Sequence, residues 1–276
     1  MKKAFIPYDY SELSRNTADY ACNFAKEYGL SLIFFHGFNL PAISTESAFI
    51  NYPIEEIFNE NKKSLEHEAD AVLKNNNTEF LQKKIIVKAG FSVDALIQNA
   101  DEESADIIIM HVTKRGRLGQ ILLGSNGVFT SRKSLIPVLL IPKNYRFKKI
   151  EKIVFAADTE KKISKGLIDY IILWKSFFNA ELEIINFYEE KKQQQVLHTI
   201  GELNLENETS HVPHKTFYLA EDVKNGLEKH IYKSKPDLLI LLPGKHSLIG
   251  DVLQKSLTNY FANTTDMPIF CIKREE

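Results

Sequence analysis

Lys3-Ala4-Phe5-Ile6-Pro7-Tyr8-Asp9-Tyr10-Ser11 decides the fold. A short apolar run, Lys3–Tyr8, reads as a buried strand that ends at Asp9. The helix Ser11–Tyr28 follows, with Thr17, Ala18, Ala21, Cys22, Ala25 and Tyr28 on one face, and Gly29 stops it. Outward from this unit the same alternation continues. Strands are expected at Ser31–Phe38, Lys84–Lys88, Asp106–Met110 and Pro137–Ile141. Helices are expected near Ile54–Lys74, at Val93–Glu103 and near Ser125–Ser134. The first of these has Ile54, Ile57, Phe58, Leu65, Ala69, Val72 and Leu73 as its apolar face.

The order then restarts. Lys152–Ala157 is a strand ending at Asp158, followed by a helix over Ile163–Phe178. Further strands fall at Glu181–Tyr188, Lys215–Leu219, Leu238–Leu242 and Pro268–Ile272, with helices at Gln193–Leu203, Val223–Lys233 and Leu248–Phe261 between them. Asp9 maps to Asp158 at an offset of 149, and Phe34 to Ile184 at 150. Asp106 maps to Asp237 and Pro137 to Pro268, both at 131. Constant offsets on either side of one deletion, between the second and third strands, indicate an internal duplication. Alternating strands and helices specify right-handed βαβ units and parallel sheets. The near-continuous apolar strands are those of sheets covered on both faces. The expected domains are 1–143 and 150–276, joined by the basic run Lys143–Lys149, which reads as a solvated linker.

Composition agrees. The 276 residues suggest two domains at roughly 150 residues each. Lys and Arg (35) nearly cancel Asp and Glu (36), so no bulk positive field for nucleic acid is expected. The two cysteines, Cys22 and Cys271, form no disulfide framework or metal-ligand spacing and read as buried apolar groups. The first residues lack the apolar stretch of a signal peptide, and no window approaches the ~18 apolar residues of a membrane span. A cytoplasmic, metal-free protein with no membrane partner is expected.

In an open doubly wound sheet, ligands bind beyond the carboxyl ends of strands where strand order reverses. Asp9 lies at the end of strand one, and the loop His111–Gly124 after strand four leads into a helix beginning Ser125-Asn126-Gly127. Free N–H groups and the helix dipole at that terminus favour an anion. Each feature alone is also explained by helix capping. Together, at two strand ends of one sheet, they point to a nucleotide-type pocket.

These residues resemble the universal stress protein family, over essentially the whole chain as a tandem pair. The resemblance rests on Phe5–Ser11, Ile107–Met110, Ile121-Leu122-Leu123-Gly124-Ser125 and Pro137–Ile141, with Val154–Asp158, Asp237–Ile240 and Pro268–Ile272 in the second half. It implies two five-stranded parallel sheets in order 3-2-1-4-5, with the switch point between strands one and four. It also implies ATP binding through G-x2-G-x9-G-[ST] after strand four, with Mg²⁺ only alongside ATP. In that arrangement Asp9 and the backbone at Gly37-Phe38 contact the adenosine end. Met110 and His111 line the pocket, and Gly124, Ser125 and Asn126 hold phosphates, assisted by Lys114. The first two glycines of the pattern are replaced by His111 and Lys114, and Gly116 and Gly119 sit five residues late. A side chain at either position crowds a phosphate against the backbone. The second half has Leu242, Lys245 and Lys255 at the three glycine positions, with Gly244 and Gly250 off register. Only Ser256 survives, so this half is expected to keep the fold without the site.

No dinucleotide fingerprint, phosphate loop or nucleophile elbow is present. A receiver-type phospho-acceptor wants carboxylates beside it, and Pro7-Tyr8 precedes Asp9 instead. His36 reads as a core or strand-end residue and His246 as a solvated loop histidine. The function implied is a stress-linked adenine-nucleotide-responsive protein. The alternatives are a nucleotide-free interaction scaffold and, last, a slow ATPase. The apolar fifth strands invite edge pairing, so an intramolecular pseudo-dimer is expected, with a homodimer as a further option.

Overall fold

Lys3–Pro7 forms β1, whose Ala4, Phe5 and Ile6 are fully buried. The computed structural model describes residues 1–39, 54–112, 126–157, 164–188, 215–219, 223–243, 258, 260–262 and 264–273. The chain folds as two units, Met1–Phe147 and Lys148–Glu276.

In the first unit β1 leads to α1 (Glu12–Tyr28). Ser11 is the helix cap and accepts from the Ser14 N–H at 3.1 Å. At the other end Gly29 adopts the left-handed conformation, φ 69°, and Leu30 N–H bonds back to the Ala25 carbonyl. The expected apolar face is buried at Thr17, Ala18, Ala21, Cys22 and Ala25. Burial pushes the Cys22 thiol up to about 12, so it behaves as an inert apolar group.

The unit continues with β2 (Ser31–Phe38), α2 (Ile54–Asn75), β3 (Lys83–Ala89), α3 (Val93–Glu102), β4 (Ile107–His111), α4 (Asn126–Lys133) and β5 (Val138–Ile141). All pairings are parallel, and the strand order is β3-β2-β1-β4-β5. β4 begins one residue later than expected because Asp106 has another task. Its carboxylate accepts the Lys2 and Lys3 N–H groups at 2.6 and 3.0 Å, tying the start of β1 to β4. β5 likewise starts at Val138, while the Pro137 carbonyl accepts from Ile108 N–H.

α2 departs from its expected face. Leu65, Ala69, Val72 and Leu73 are buried, but Ile54 and Phe58 are 55% and 38% exposed. A helix of 22 residues is about 33 Å long, whereas a strand of seven spans about 23 Å, so the first turns of α2 overhang the sheet.

The second unit repeats the plan with β6 (Lys152–Ala157), α5 (Lys165–Phe178), β7 (Glu181–Tyr188), β8 (Lys215–Leu219), α6 (Val223–Ser234), β9 (Leu238–Leu241) and β10 (Ile269–Cys271). Its order is β8-β7-β6-β9-β10, again parallel throughout, which is 3-2-1-4-5 within the unit. The duplication extends to individual contacts. Asp237 accepts the Glu151 and Lys152 N–H groups, both at 3.0 Å, as Asp106 does for Lys2 and Lys3. Asn179 ends α5 in the left-handed conformation that Gly29 provides for α1. α5 starts at Lys165, capped by Ser164, rather than at Ile163. Trp174 packs on Phe178 and Phe270, with ring centroids 5.5 and 4.7 Å away, in the core of this unit. The expected helix Gln193–Leu203 lies outside the described residues, as does most of Leu248–Phe261.

Candidate functional site

β1 and β4 are neighbours whose onward connections turn to opposite sides, the topological position at which doubly wound sheets form a ligand crevice. Asp9 stands just past β1 and His111 is the last residue of β4. Because Ser11 caps α1, the Asp9 carboxylate is not spent on the helix N-terminus. It closes a short turn instead, accepting the Ser11 N–H at 3.0 Å, and is otherwise exposed. Partial burial pushes the Asp9 carboxyl up. The adjacent Ser11 and Ser14 hydroxyls, the Ser11 N–H and the electrostatic attraction of nearby His111 outweigh it, so the group lies below its ordinary pKa. His111 moves down from 6.5 because burial disfavours its charged form more than Asp9 favours it. At neutral pH the pair is an anionic carboxylate facing a neutral imidazole.

α4 is held hard against this crevice. A Cβ at Gly127 would sit 2.9 Å from the His111 carbonyl oxygen and 2.9 Å from Leu140 Cδ2. Only glycine allows the first turn of α4 to approach β4 so closely. The visible signal was a glycine inside the first turn of the expected helix, a poor helix former that a packing reason explains. Asn126 opens the helix and is exposed. Met110 is 5% exposed and lies on the α4 side of the sheet, near the Gly127 backbone.

Gly37 and Phe38 end β2. A Cβ at Gly37 would lie 3.0 Å from the Gly90 carbonyl oxygen and from Phe91, so this glycine accommodates the β3–α3 turn. The Phe38 carbonyl accepts the Gly90 N–H at 2.7 Å, and its ring is buried against Phe58. The structure therefore places Asp9 and His111 at the ends of neighbouring strands, and Met110 and Asn126 beside the contact of α4 with β4, while Gly37 and Phe38 end β2 on the other side of β1. Lys114, Gly124 and Ser125 lie outside the described residues, as do Gly116 and Gly119. In the second unit Leu242 is buried, and Asp158, Gly244, Lys245, His246, Gly250, Lys255 and Ser256 are outside the described residues.

Two features escaped the sequence. His36 Nδ1 lies 2.7 Å from the Tyr8 carbonyl oxygen, which fixes the ring at the strand end. Tyr10 takes φ 62°, a left-handed conformation that no feature of its side chain advertises. Nearby, the Tyr8 hydroxyl donates to Glu68 at 2.7 Å, and Arg15 binds the same carboxylate at 3.2 and 3.3 Å. Among the described residues no group of three or more His, Cys, Asp or Glu is placed to hold a metal ion. No described helix is long and apolar enough to cross a membrane.

Comparison with known proteins is consistent with this geometry. A solved universal stress protein from Archaeoglobus fulgidus aligns over 99% of this chain and 98% of its own, at 17% identity and a TM-score of 0.71, and so shares the fold. A Pseudomonas aeruginosa protein of unknown function aligns over 99% of this chain and 92% of its own, at 12% identity and a TM-score of 0.60. A universal stress protein of Methanocaldococcus jannaschii is 28% identical over 154 residues, 51% of this chain and 95% of the relative. The model of the universal stress protein family matches residues 1–142, just over half the chain, and the chain belongs to that family.

Proposed function

We propose that the first unit binds an adenine nucleotide, ATP, at the carboxyl ends of β1 and β4, as a stress-linked nucleotide-responsive protein of the cytoplasm. The observation that carries this reading is that Asp9 and His111 stand at the ends of the adjacent parallel strands β1 and β4, close enough to influence each other's charge, with the first turn of α4 packed on the His111 carbonyl. A carboxylate kept ionised accepts hydrogen bonds only, which suits ribose hydroxyls. The N-terminal N–H groups and dipole of α4, with Asn126 beside them, suit phosphate. Gly124, Ser125 and Lys114 complete the phosphate side, and the Gly37–Phe38 backbone flanks the adenosine end. Any Mg²⁺ enters with the triphosphate.

His111 stands where the family pattern has glycine, so binding is expected to be weak and responsive to cellular ATP rather than permanent. The same side chain favours a second reading, in which the crevice is filled and the paired fold is an interaction scaffold. Calorimetric titration of the full chain with ATP, together with analysis of nucleotide released on denaturation, separates the two. Saturable heat at millimolar ATP, weakened by Asp9→Asn, supports the first. No heat and no released nucleotide overturns the first and leaves the second. We further propose that β5 and β10, the outermost strands of their units, pair the two units within one chain. Their apolar sequences, Val138-Leu139-Leu140-Ile141 and Ile269-Phe270-Cys271, support this arrangement.

A further inference from the structure

The β1–α1 turn separates two compartments. Asp9 serves the β4 side, and the next residue, Tyr10, serves the α2 side. Here a solvent-open cleft of about 590 Å³ is lined by Tyr10, Asn61, Lys63, Ser64, His67 and Glu68. None of the residues proposed for the nucleotide is among them. The volume lies within the range of small-molecule sites.

Three observations give the cleft a chemical character. First, Tyr10 is held at φ 62°, which a bulky residue adopts only when its surroundings impose it. Its ring sits edge-on to His36 and Tyr8, with centroids 4.7 and 5.4 Å away, and forms an aromatic wall. Its hydroxyl is buried with no hydrogen-bond partner among the described residues. Strain in a bulky residue and an unpaired polar atom are both found at binding sites. Second, Lys63 and His67 are four residues apart on α2, hence on one face, and both are exposed on the cleft. Lys63 forms no ion pair with any described residue. Third, the one carboxylate in the lining, Glu68, is already neutralised by Arg15 and accepts the Tyr8 hydroxyl. What remains for a ligand is an ammonium, an imidazole, the Ser64 hydroxyl and the Asn61 amide beside an aromatic ring.

We propose that this cleft is a second ligand site, for a small molecule that joins a planar ring to an oxyanion. The ring lies against Tyr10 and the oxyanion meets Lys63, Ser64 and His67. The proposal does not depend on nucleotide binding at Asp9.

The test uses the full chain at constant ionic strength, titrated with phenyl phosphate and, separately, inorganic phosphate. Phenyl phosphate is expected to bind saturably and more tightly than inorganic phosphate. The double variant Lys63→Gln/His67→Gln, changed only at exposed helix positions, should weaken it about tenfold. Asp9→Asn should leave it unchanged while ATP titration reports on the other site independently. Tyr10→Phe keeps the wall and should retain binding of the ring. Equal affinity for both probes overturns the aromatic assignment. Binding that survives the double variant, or that is lost in Asp9→Asn, overturns the cleft as the site, as does the absence of saturable binding at millimolar phenyl phosphate.

Discussion

His111 combines a place at the end of β4 with a burial that keeps it neutral. Its pKa in the folded chain is below 6.5, whereas an unfolded chain titrates near that value. Between the two pKa values the unfolded state therefore binds more protons, and stability rises with pH. Its contribution is complete above about pH 7 and is lost as pH falls through the folded value. Asp9 has the same sign at lower pH: its carboxyl is depressed, so its contribution is present above the ordinary carboxylate range and is lost on acidification. The expected outcome is that denaturant midpoints fall from about pH 7 to pH 5, and that His111→Gln flattens this slope. An equally steep slope in the variant would show that other groups set the acid sensitivity. Asp9 was legible in the sequence because it follows an apolar run. Its partnership with His111, 102 positions away, was not, because only the parallel pairing of β1 with β4 brings those strand ends together.

α2 and α4 are positioned by single residues that act on whole elements. The Tyr8 hydroxyl reaches from just past β1 to Glu68 on α2, and Tyr8 is only 2% exposed. Glu68→Ala leaves that hydroxyl buried without an acceptor and should cost about 1–3 kcal/mol in urea unfolding. Adding Tyr8→Phe to Glu68→Ala should recover part of the loss, since the orphaned hydroxyl is then gone. A double variant less stable than the single one would mean that packing rather than the hydrogen bond anchors α2. At α4, Gly127→Ala drives a methyl against the His111 carbonyl and Leu140. Backbone cannot yield as a flexible side chain would, so a loss of about 1–3 kcal/mol is expected. ATP affinity should fall with it, because the first turn of α4 is pushed away from β4. Unchanged affinity in a destabilised Gly127→Ala protein would detach the start of α4 from the nucleotide site. The sequence placed every described strand to within a residue or two, since apolar runs are local signals. The overhang of α2 was hidden, because periodicity marks an apolar face without saying how far the sheet beneath it extends.

At the scale of the molecule the two units carry the same fold and different endowments. Equivalent aspartates, Asp106 and Asp237, tie strand starts in the same way, so the framework has been kept on both sides of the duplication. The glycine positions have not, with His111 and Lys114 in one copy and Leu242, Lys245 and Lys255 in the other. If β5 and β10 pair within one chain, the outward amides of Val138–Ile141 should exchange slowly with solvent. This should hold at dilutions where the chain sediments as a monomer. Exchange at the rate of an open sheet edge would sink the intramolecular arrangement.

By itself the sequence determined the α/β class, the duplication with its single deletion, the strand positions and the family resemblance. These rest on local periodicity and on offsets that need no coordinates. Tertiary structure alone decided that Ser11 caps α1 and so leaves Asp9 for the crevice. It also decided that Gly127 brings α4 onto the His111 carbonyl, and that Tyr10 is forced into a left-handed conformation over a cleft formed with α2. Each of these depends on which distant backbone or side chain arrives at a given atom, and contacts between elements set that through sheet order and helix packing rather than through the residues on either side.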